Sequence, residues 1–320
     1  MYYEVIDCIP GCMKKGVLND ACWDIPGKNY KPCAPGLKCN DVNTCVLDET
    51  SCARFQHMQD KPKWLPSCLP DGSYAPKQCK GERQNGRCYC YNADGKRIFG
   101  QEWSYKAEDM ECACSRRRSE LEKQGRTDVT LHCDKWGNYE PLQCDSGSCW
   151  CAETKTGEVL ESVVPEQMMS VLPCYNHTLV GDQYLRQCES HIIAQAKIKL
   201  EFIKHGTNHV NLPFLMCDYD GSFGGFRIDN GNAYCIWRDN SRLEASMNAA
   251  QGVDDMNCNC IRDRKIYDLA GVKLVQQCKG NGNYEKLQQI DGDKFYCVDS
   301  DGFATTEPIK GLKVEDCPLY

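Results

Sequence analysis

The sequence predicts a fold of small disulfide-rich modules with low helix and strand content. Four tandem copies of one unit follow an unrelated cysteine-rich N-terminal module. Three observations carry this. The chain has 26 cysteines in 320 residues, about 8%, the level at which composition alone indicates a disulfide scaffold in an oxidising compartment. One interval recurs four times, with ten residues between Cys68 and Cys79, Cys133 and Cys144, Cys217 and Ile228, and Cys278 and Gln289. Where the last two copies lack that cysteine, a second is missing too. Cys88 and Cys149 stand two residues before Cys90 and Cys151, but Ala233 and Phe295 hold the matching places before Cys235 and Cys297. Joint loss is what a shared bridge requires, because an orphan thiol in a secreted protein would be reactive.

Residues 1–51 hold six cysteines, at positions 8, 12, 22, 33, 39 and 45, among Pro and Gly. So short a segment buries too little apolar area to fold unstapled, and an independent cystine-knot-like module is expected, its pairing open. Module A then covers residues 52–112, B 113–174, C 188–258 and D 259–320, with 175–187 as a linker. Only Ala113 or Asn259 separates the cysteines at the A–B and C–D joints, which predicts two rigid pairs connected by an exposed, more mobile linker. Each copy opens on a short helix, clearest after Cys188. There Ile192, Ile193, Ala196, Leu200 and Ile203 recur at helical spacing and Gly206 stands where a C-cap glycine belongs. A hairpin follows, beginning at Asp71-Gly72-Ser73-Tyr74, Trp136-Gly137-Asn138-Tyr139, Asp220-Gly221-Ser222-Phe223 and Asn281-Gly282-Asn283-Tyr284. The glycine makes the turn and the ring covers the bridges. Cys-x-Cys pairs at Cys88–Cys90, Cys112–Cys114, Cys149–Cys151 and Cys258–Cys260 would also suit zinc, but each belongs to a longer repeat, so no metal is expected.

Module B reads Asn138-Tyr139-Glu140-Pro141-Leu142-Gln143-Cys144, then Cys149-Trp150-Cys151. Module A reads Tyr74-Ala75-Pro76-Lys77-Gln78-Cys79, then Cys88-Tyr89-Cys90, and C and D keep Tyr234-Cys235-Ile236 and Tyr296-Cys297-Val298. Residues 52–317 therefore resemble the thyroglobulin type-1 domain, whose signature is Gln-Cys followed by Cys-Trp-Cys-Val. The resemblance implies pairing of first with second, third with fourth and fifth with sixth cysteine. That gives Cys52–Cys68, Cys79–Cys88 and Cys90–Cys112 in A, and Cys114–Cys133, Cys144–Cys149 and Cys151–Cys174 in B. C would keep Cys188–Cys217 and Cys235–Cys258, and D would keep Cys260–Cys278 and Cys297–Cys317. It also implies a function. Some members of this family inhibit papain-like cysteine proteases by placing loops in the active-site cleft, while others bind partners or serve as spacers. The matching loops are residues 60–66 and 92–100 in A, and 125–131 and 153–161 in B. Within the first, Lys63, Trp64, Leu65 and Pro66 form an apolar wedge whose proline limits its entropy cost. The competing reading has Trp64 covering its own module's bridges.

The expected function is thus that of a secreted, multi-module, thyropin-like binding protein without a cofactor, its partner a cysteine protease or another secreted protein. A net charge of −7 and the lack of a basic stripe argue against nucleic acid, and Arg116-Arg117-Arg118 reads as the solvated start of a short helix. No run of 18 apolar residues exists to span a membrane. Secretion is expected, with the signal peptide absent from this sequence, since Met1-Tyr2-Tyr3-Glu4 has neither a basic nor an apolar region. Asn176-His177-Thr178 is a glycosylation sequon. Module C departs most from the pattern, with 28 residues between its first two cysteines against 15, 18 and 17 in A, B and D. That insertion includes Phe214, Leu215 and Met216, and beside a lost bridge it is the expected wall of a pocket for an apolar small molecule in the C–D half, or else a repacked core. The enzymatic alternative is a cofactor-free secreted oxygenase, such as a cysteine-rich marine luciferase, with His191, His205 or His209 as base. The chain has no His-Glu-x-x-His, no dinucleotide loop, no Gly-x-Ser-x-Gly elbow and no EF-hand ladder.

Overall fold

Each of modules A to D folds its hairpin cysteines into one small antiparallel sheet of three strands. The computed structural model describes residues 6–8, 12–22, 31–59, 61–126, 128–181, 183–207 and 210–318. The sheets comprise Lys77–Lys80, Arg87–Tyr91 and Arg97–Trp103 in A, and Leu142–Asp145, Ser148–Cys151 and Val164–Pro165 in B. In C they are Phe226–Asp229, Asn232–Ile236 and Arg242–Asn248, and in D Leu287–Gln289, Lys294–Cys297 and Ile309–Lys310. A 3-10 turn, Cys52–Gln56, opens A, and α1 (Ala113–Lys123) opens B. The linker holds the single turn α2 (His177–Val180), C opens with α3 (Gln187–Lys204) and D with α4 (Asn259–Leu269). The N-terminal segment has two two-stranded ladders and the bridges Cys22–Cys39 and Cys33–Cys45.

Strand register explains the paired substitutions. Cys79 lies opposite Cys88 and Cys144 opposite Cys149, while at the same lattice points Ile228 faces Ala233 and Gln289 faces Phe295. The bridges in A and B are Cys52–Cys68, Cys79–Cys88, Cys90–Cys112, Cys114–Cys133, Cys144–Cys149 and Cys151–Cys174. C has Cys188–Cys217 and Cys235–Cys258, and D has Cys260–Cys278 and Cys297–Cys317. No described cysteine is free.

A second repeated device is a buried amide. Gln78, Gln143 and Gln288 are sealed from solvent, and each makes the same three bonds. Gln143 Oε1 accepts from the His132 backbone at 3.0 Å, and its Nε2 donates to the carbonyls of His132 and Glu140 at 2.7 Å. Gln78 braces Ser67 and Ala75, and Gln288 braces Gln277 and Glu285, in the same way. The amide satisfies backbone groups that the short sheet leaves over, as burial requires. C alone replaces it, with Arg227, whose Nη1 donates to Asn240. The hairpin rings Tyr74, Tyr139, Phe223 and Tyr284 are all buried.

The A–B and C–D joints are built alike. Asn138 Oδ1 accepts from the Glu111 and Cys112 amides, and Asn283 Oδ1 from those of Asn257 and Cys258. Cys112 and Cys258 then enter the next helix at positive φ, 63° and 55°. The end of the linker is tied to both of its neighbours. Tyr184 is buried, stacks on His132 at 4.2 Å and donates to the Leu142 carbonyl. Arg186 bonds Glu140 at 2.5 Å and the Asp220 carbonyl at 2.9 Å, so it ties B to C.

The chain also closes on itself, because module A meets module D. Lys80 donates to Asp299 and Asp301 at 2.6 and 2.7 Å, and Tyr91 donates to Asp301. Arg97 grips both carboxylate oxygens of Asp263 at 3.0 and 2.9 Å. Phe99 of A packs against Tyr219 of C, so A contacts every other module. The basic run in α1 is drawn inward as well. Arg118 donates to the carbonyls of Leu131, Val129 and Tyr219, Arg116 to that of Tyr74, and Arg117 alone is solvated. Carbonyls left over by the loops supply acceptors that a solvated helix start would not need.

Candidate functional site

The loop edge of A is largely consumed by the closure. Lys63 is ion-paired with Glu307 of D at 2.6 Å. The Trp64 indole N–H donates to the Cys79 carbonyl at 2.8 Å, and its ring lies under the Lys80 ammonium at 4.5 Å and beside Tyr91. Trp64, half-buried, thus packs on the Lys80 and Tyr91 side chains that themselves reach module D. A large ring beside a buried ammonium is better placed over that charge than in water. Leu65 stays 49% exposed, with Pro66 half-buried beside it. The second loop of A, residues 92–100, includes Arg97, which is held by Asp263. Asp60, at the start of the first loop, lies outside the described residues.

Module B keeps its edge. Residues 158–163 are exposed without interruption, and they carry Val159, Leu160 and Val163 at 51, 59 and 56%. The loop is nonetheless fixed at its start and its middle. The Leu160 amide donates to the Cys151 carbonyl at 2.9 Å, and Gly157, at φ 79°, packs flat against the Tyr139 ring where a Cβ would collide. A loop held this way, its three apolar residues set among Glu158, Glu161 and Ser162, has little conformational freedom left to lose on contact. In the other loop of B, Val129 and Leu131 enter the core, and Gln124 and Gly125 form the exposed tip. Arg126 fastens that tip to Asp145 at 2.9 Å; Thr127 lies outside the described residues.

The two described histidines of module C lie apart. His191 sits edge-on to Phe223 and His205 caps the far end of α3, about 21 Å away at 1.5 Å per residue. His209 lies outside the described residues. Of the insertion, Phe214 pairs by its backbone with Ile228 and is exposed, while Leu215 packs on the Cys188, Phe223 and Ile236 core. The helical stripe faces outward, with Ile192 39% and Leu200 57% exposed. The module's small sheet covers only the first turn, Cys188 and Glu189.

A cavity of about 1010 Å³ opens where the modules converge. It is not confined to the C–D half. Ile98, Phe99 and Trp103 of A form one wall, Ile192 and Ile193 of α3 face them, and Met216 is what the insertion contributes. A reaches the centre because its third strand, Arg97–Trp103, is long enough to cross to C and D.

Burial perturbs the charges at the seams between modules. Asp301, fully buried, would be pushed up by desolvation, but Lys80 and Arg97 outweigh that and hold it below the ordinary carboxylate value. In Asp299 burial prevails and its pKa rises. Glu189 is raised by burial and pulled back further by the His132 hydrogen bond at 2.8 Å, so it ends low. None of these seams was legible from spacing, since their partners lie far apart in the chain.

Comparison with known proteins agrees with the sheet, bridge and buried-glutamine pattern. The family model described as the thyroglobulin type-1 repeat matches residues 43–112 and 108–170. Equistatin of Actinia equina is 28% identical over 170 residues, which cover 45% of this chain and 70% of equistatin. Thyroglobulin of Sus scrofa is 28% identical over 103 residues, and the chain spans only 4% of its length. U20-hexatoxin-Hi1a of Hadronyche infensa is 26% identical over 120 residues, 34% of this chain and 79% of the toxin. Among the described residues no helix is long and apolar enough to cross a membrane. The chain carries two thyroglobulin type-1 repeats, at residues 43–112 and 108–170.

Proposed function

We propose that this is a secreted, thyropin-like inhibitor that occupies the cleft of one papain-like cysteine protease with module B. The observation that carries the reading is the contrast between two equivalent edges. The apolar loop 158–163 of B is exposed and anchored, whereas its counterpart in A is held against D by the Arg97–Asp263 pair. Similarity to equistatin across 70% of that protein supports the family-level reading. Modules C and D, with the same sheet order and joint chemistry, are then diverged copies that serve to close the assembly. An exposed Asn176 in the sequon fits the secretory route.

Inhibition of papain by the full chain tests this, with Leu160→Asp in B compared with Leu65→Asp in A. The B variant should raise the inhibition constant at least tenfold at unchanged melting temperature, because a charge is placed in an apolar contact. The A variant should change it less than threefold, and titration should end at one enzyme per chain. No inhibition by the parent chain, or equal loss in both variants, would overturn the assignment.

A further inference from the structure

A smaller cavity, of about 110 Å³, lies at the A–D seam. Five side chains of its wall are aromatic: Phe55, Trp64, Tyr74 and Tyr91 of A, and Phe303 of D. Each comes from a different part of the chain. Phe55 lies on the 3-10 turn Cys52–Gln56, Tyr74 is the hairpin ring and Tyr91 ends the middle strand. Phe303 closes a turn of D in which Asp299 Oδ1 accepts from the Asp301 and Phe303 amides at 2.9 and 3.0 Å. The rings are held before anything binds. Trp64 and Tyr91 stand 6.4 Å apart and Tyr74 and Tyr91 6.3 Å apart, both pairs tilted, and Gly95 packs against the Tyr74 ring where a Cβ would collide.

The polar groups of the wall are already engaged. The Trp64 indole N–H donates to the Cys79 carbonyl and the Tyr91 hydroxyl to Asp301. Four charged side chains line the cavity, and each has a counter-charge. Lys80 is paired with Asp299 and Asp301, Lys63 with Glu307, and Arg54 stands 3.8 Å from Glu49. A charged ligand would thus lose hydration and find no free counter-ion, which favours a neutral one. Size narrows the choice further. A dry cavity of about 150 Å³ is known to hold benzene, so this one suits a single ring and not a larger skeleton. The wall favours an aromatic ring over a saturated one, because tilted ring pairs gain energy beyond the area they bury.

We propose that the A–D cavity binds one neutral aromatic ring of a small organic molecule, held by ring-to-ring contact with Trp64, Tyr91 and Phe303. The site shares no residue with the exposed loop of B and stands whether or not that loop inhibits a protease.

Nuclear magnetic resonance titration of the full chain with benzyl alcohol and with cyclohexylmethanol tests the proposal. The two share a hydroxymethyl group and a six-membered ring, and the saturated one is the more apolar, so general adsorption would favour it. Benzyl alcohol should bind at one per chain and at least fivefold more tightly than cyclohexylmethanol, benzoate or benzylammonium. Phe303→Leu, which keeps an apolar side chain and removes the ring, should weaken benzyl alcohol at least fivefold. Phe202→Leu, the same change at a 45% exposed position of α3, should leave binding unchanged. If Phe303→Leu fails to fold, Overhauser contacts from the ligand ring to the Trp64 and Phe303 rings of the parent chain decide alone. Equal or tighter binding of any of the three other compounds overturns the proposal. So does unchanged binding in Phe303→Leu, equal loss in Phe202→Leu, absence of those contacts, or no binding of benzyl alcohol.

Discussion

Replacing Lys80 by Met should open the A–D seam. The Lys80 side chain is 4% exposed and supplies hydrogen bonds to Asp299 and Asp301, whose side chains are 10 and 0% exposed. Its removal leaves Asp299 without its cation and takes from Asp301 the nearer of two, Arg97 standing at 3.7 Å. Breaking a buried pair from one side costs about 3–5 kcal/mol, and the lost packing of the ammonium over Trp64 adds to it. The same seam contains its own control. Lys63 and Glu307 also pair at 2.6 Å but are 41 and 75% exposed, so Lys63→Met should cost about 0–1 kcal/mol. Urea unfolding gives the total, and exchange of the Tyr91 amide, bonded to the Pro76 carbonyl at 2.8 Å, reports local opening at the seam. Adding Asp299→Asn to Lys80→Met should recover more than half the loss, because the stranded charge is then gone. A Lys80→Met cost below about 1 kcal/mol, or one equal to that of Lys63→Met, would refute burial as the source of the seam's strength.

Three further outcomes follow from particular side chains. Gln143→Leu should destabilise module B by about 2–4 kcal/mol in urea, since three backbone groups lose a buried partner, whereas Gln289→Leu, at an exposed position of the D hairpin, should cost less than about 0.5 kcal/mol. Glu189 titrates below the ordinary value of about 4.3, so its contribution to the B–C seam is complete above that pH and is lost as pH falls through its lowered pKa; denaturation curves of Glu189→Gln should lack that acid-side decline. Ile228→Cys with Ala233→Cys should oxidise spontaneously, because the two positions are register partners as Cys144 and Cys149 are, and mass mapping under non-reducing conditions would show it.

The fold class and the two thyroglobulin type-1 repeats were legible because both are local properties. A bridge, a buried Gln before a strand cysteine and a turn glycine under a ring all lie within one module, so spacing reports them. The seams do not. Lys80 meets Asp299 and Asp301 across 219 and 221 residues, and no local pattern distinguishes this lysine from a solvated one. The run at Arg116 to Arg118 misleads for the same reason: its acceptors are backbone carbonyls, which every residue has and no sequence advertises. The α3 stripe misleads in the opposite direction. Periodicity identifies an apolar face but not whether the fold supplies anything to cover it, and here the cover ends after the first turn.

Closure also accounts for how C and D do without a bridge that A and B retain. The missing staple would span only a few residues, and the chain-entropy estimate for so short a loop is about 2 kcal/mol. In C, Ile228 and Ala233 occupy the two positions and pack with Phe226 and Met247, and burying much of an isoleucine is worth a similar amount, about 1.5–3 kcal/mol. The exchange is therefore close to neutral for the hairpin itself. What a bridge cannot do is hold one module to another, and that is where the C–D half gains. Asp263 and Tyr284 of D join Arg97 of A in one buried cluster, and Asp218 of C takes Arg262 of D. With two internal bridges each, C and D are joined to each other through Asp218 and Arg262 and to A through Arg97 and Lys80, so buried ion pairs between modules stand beside the remaining staples.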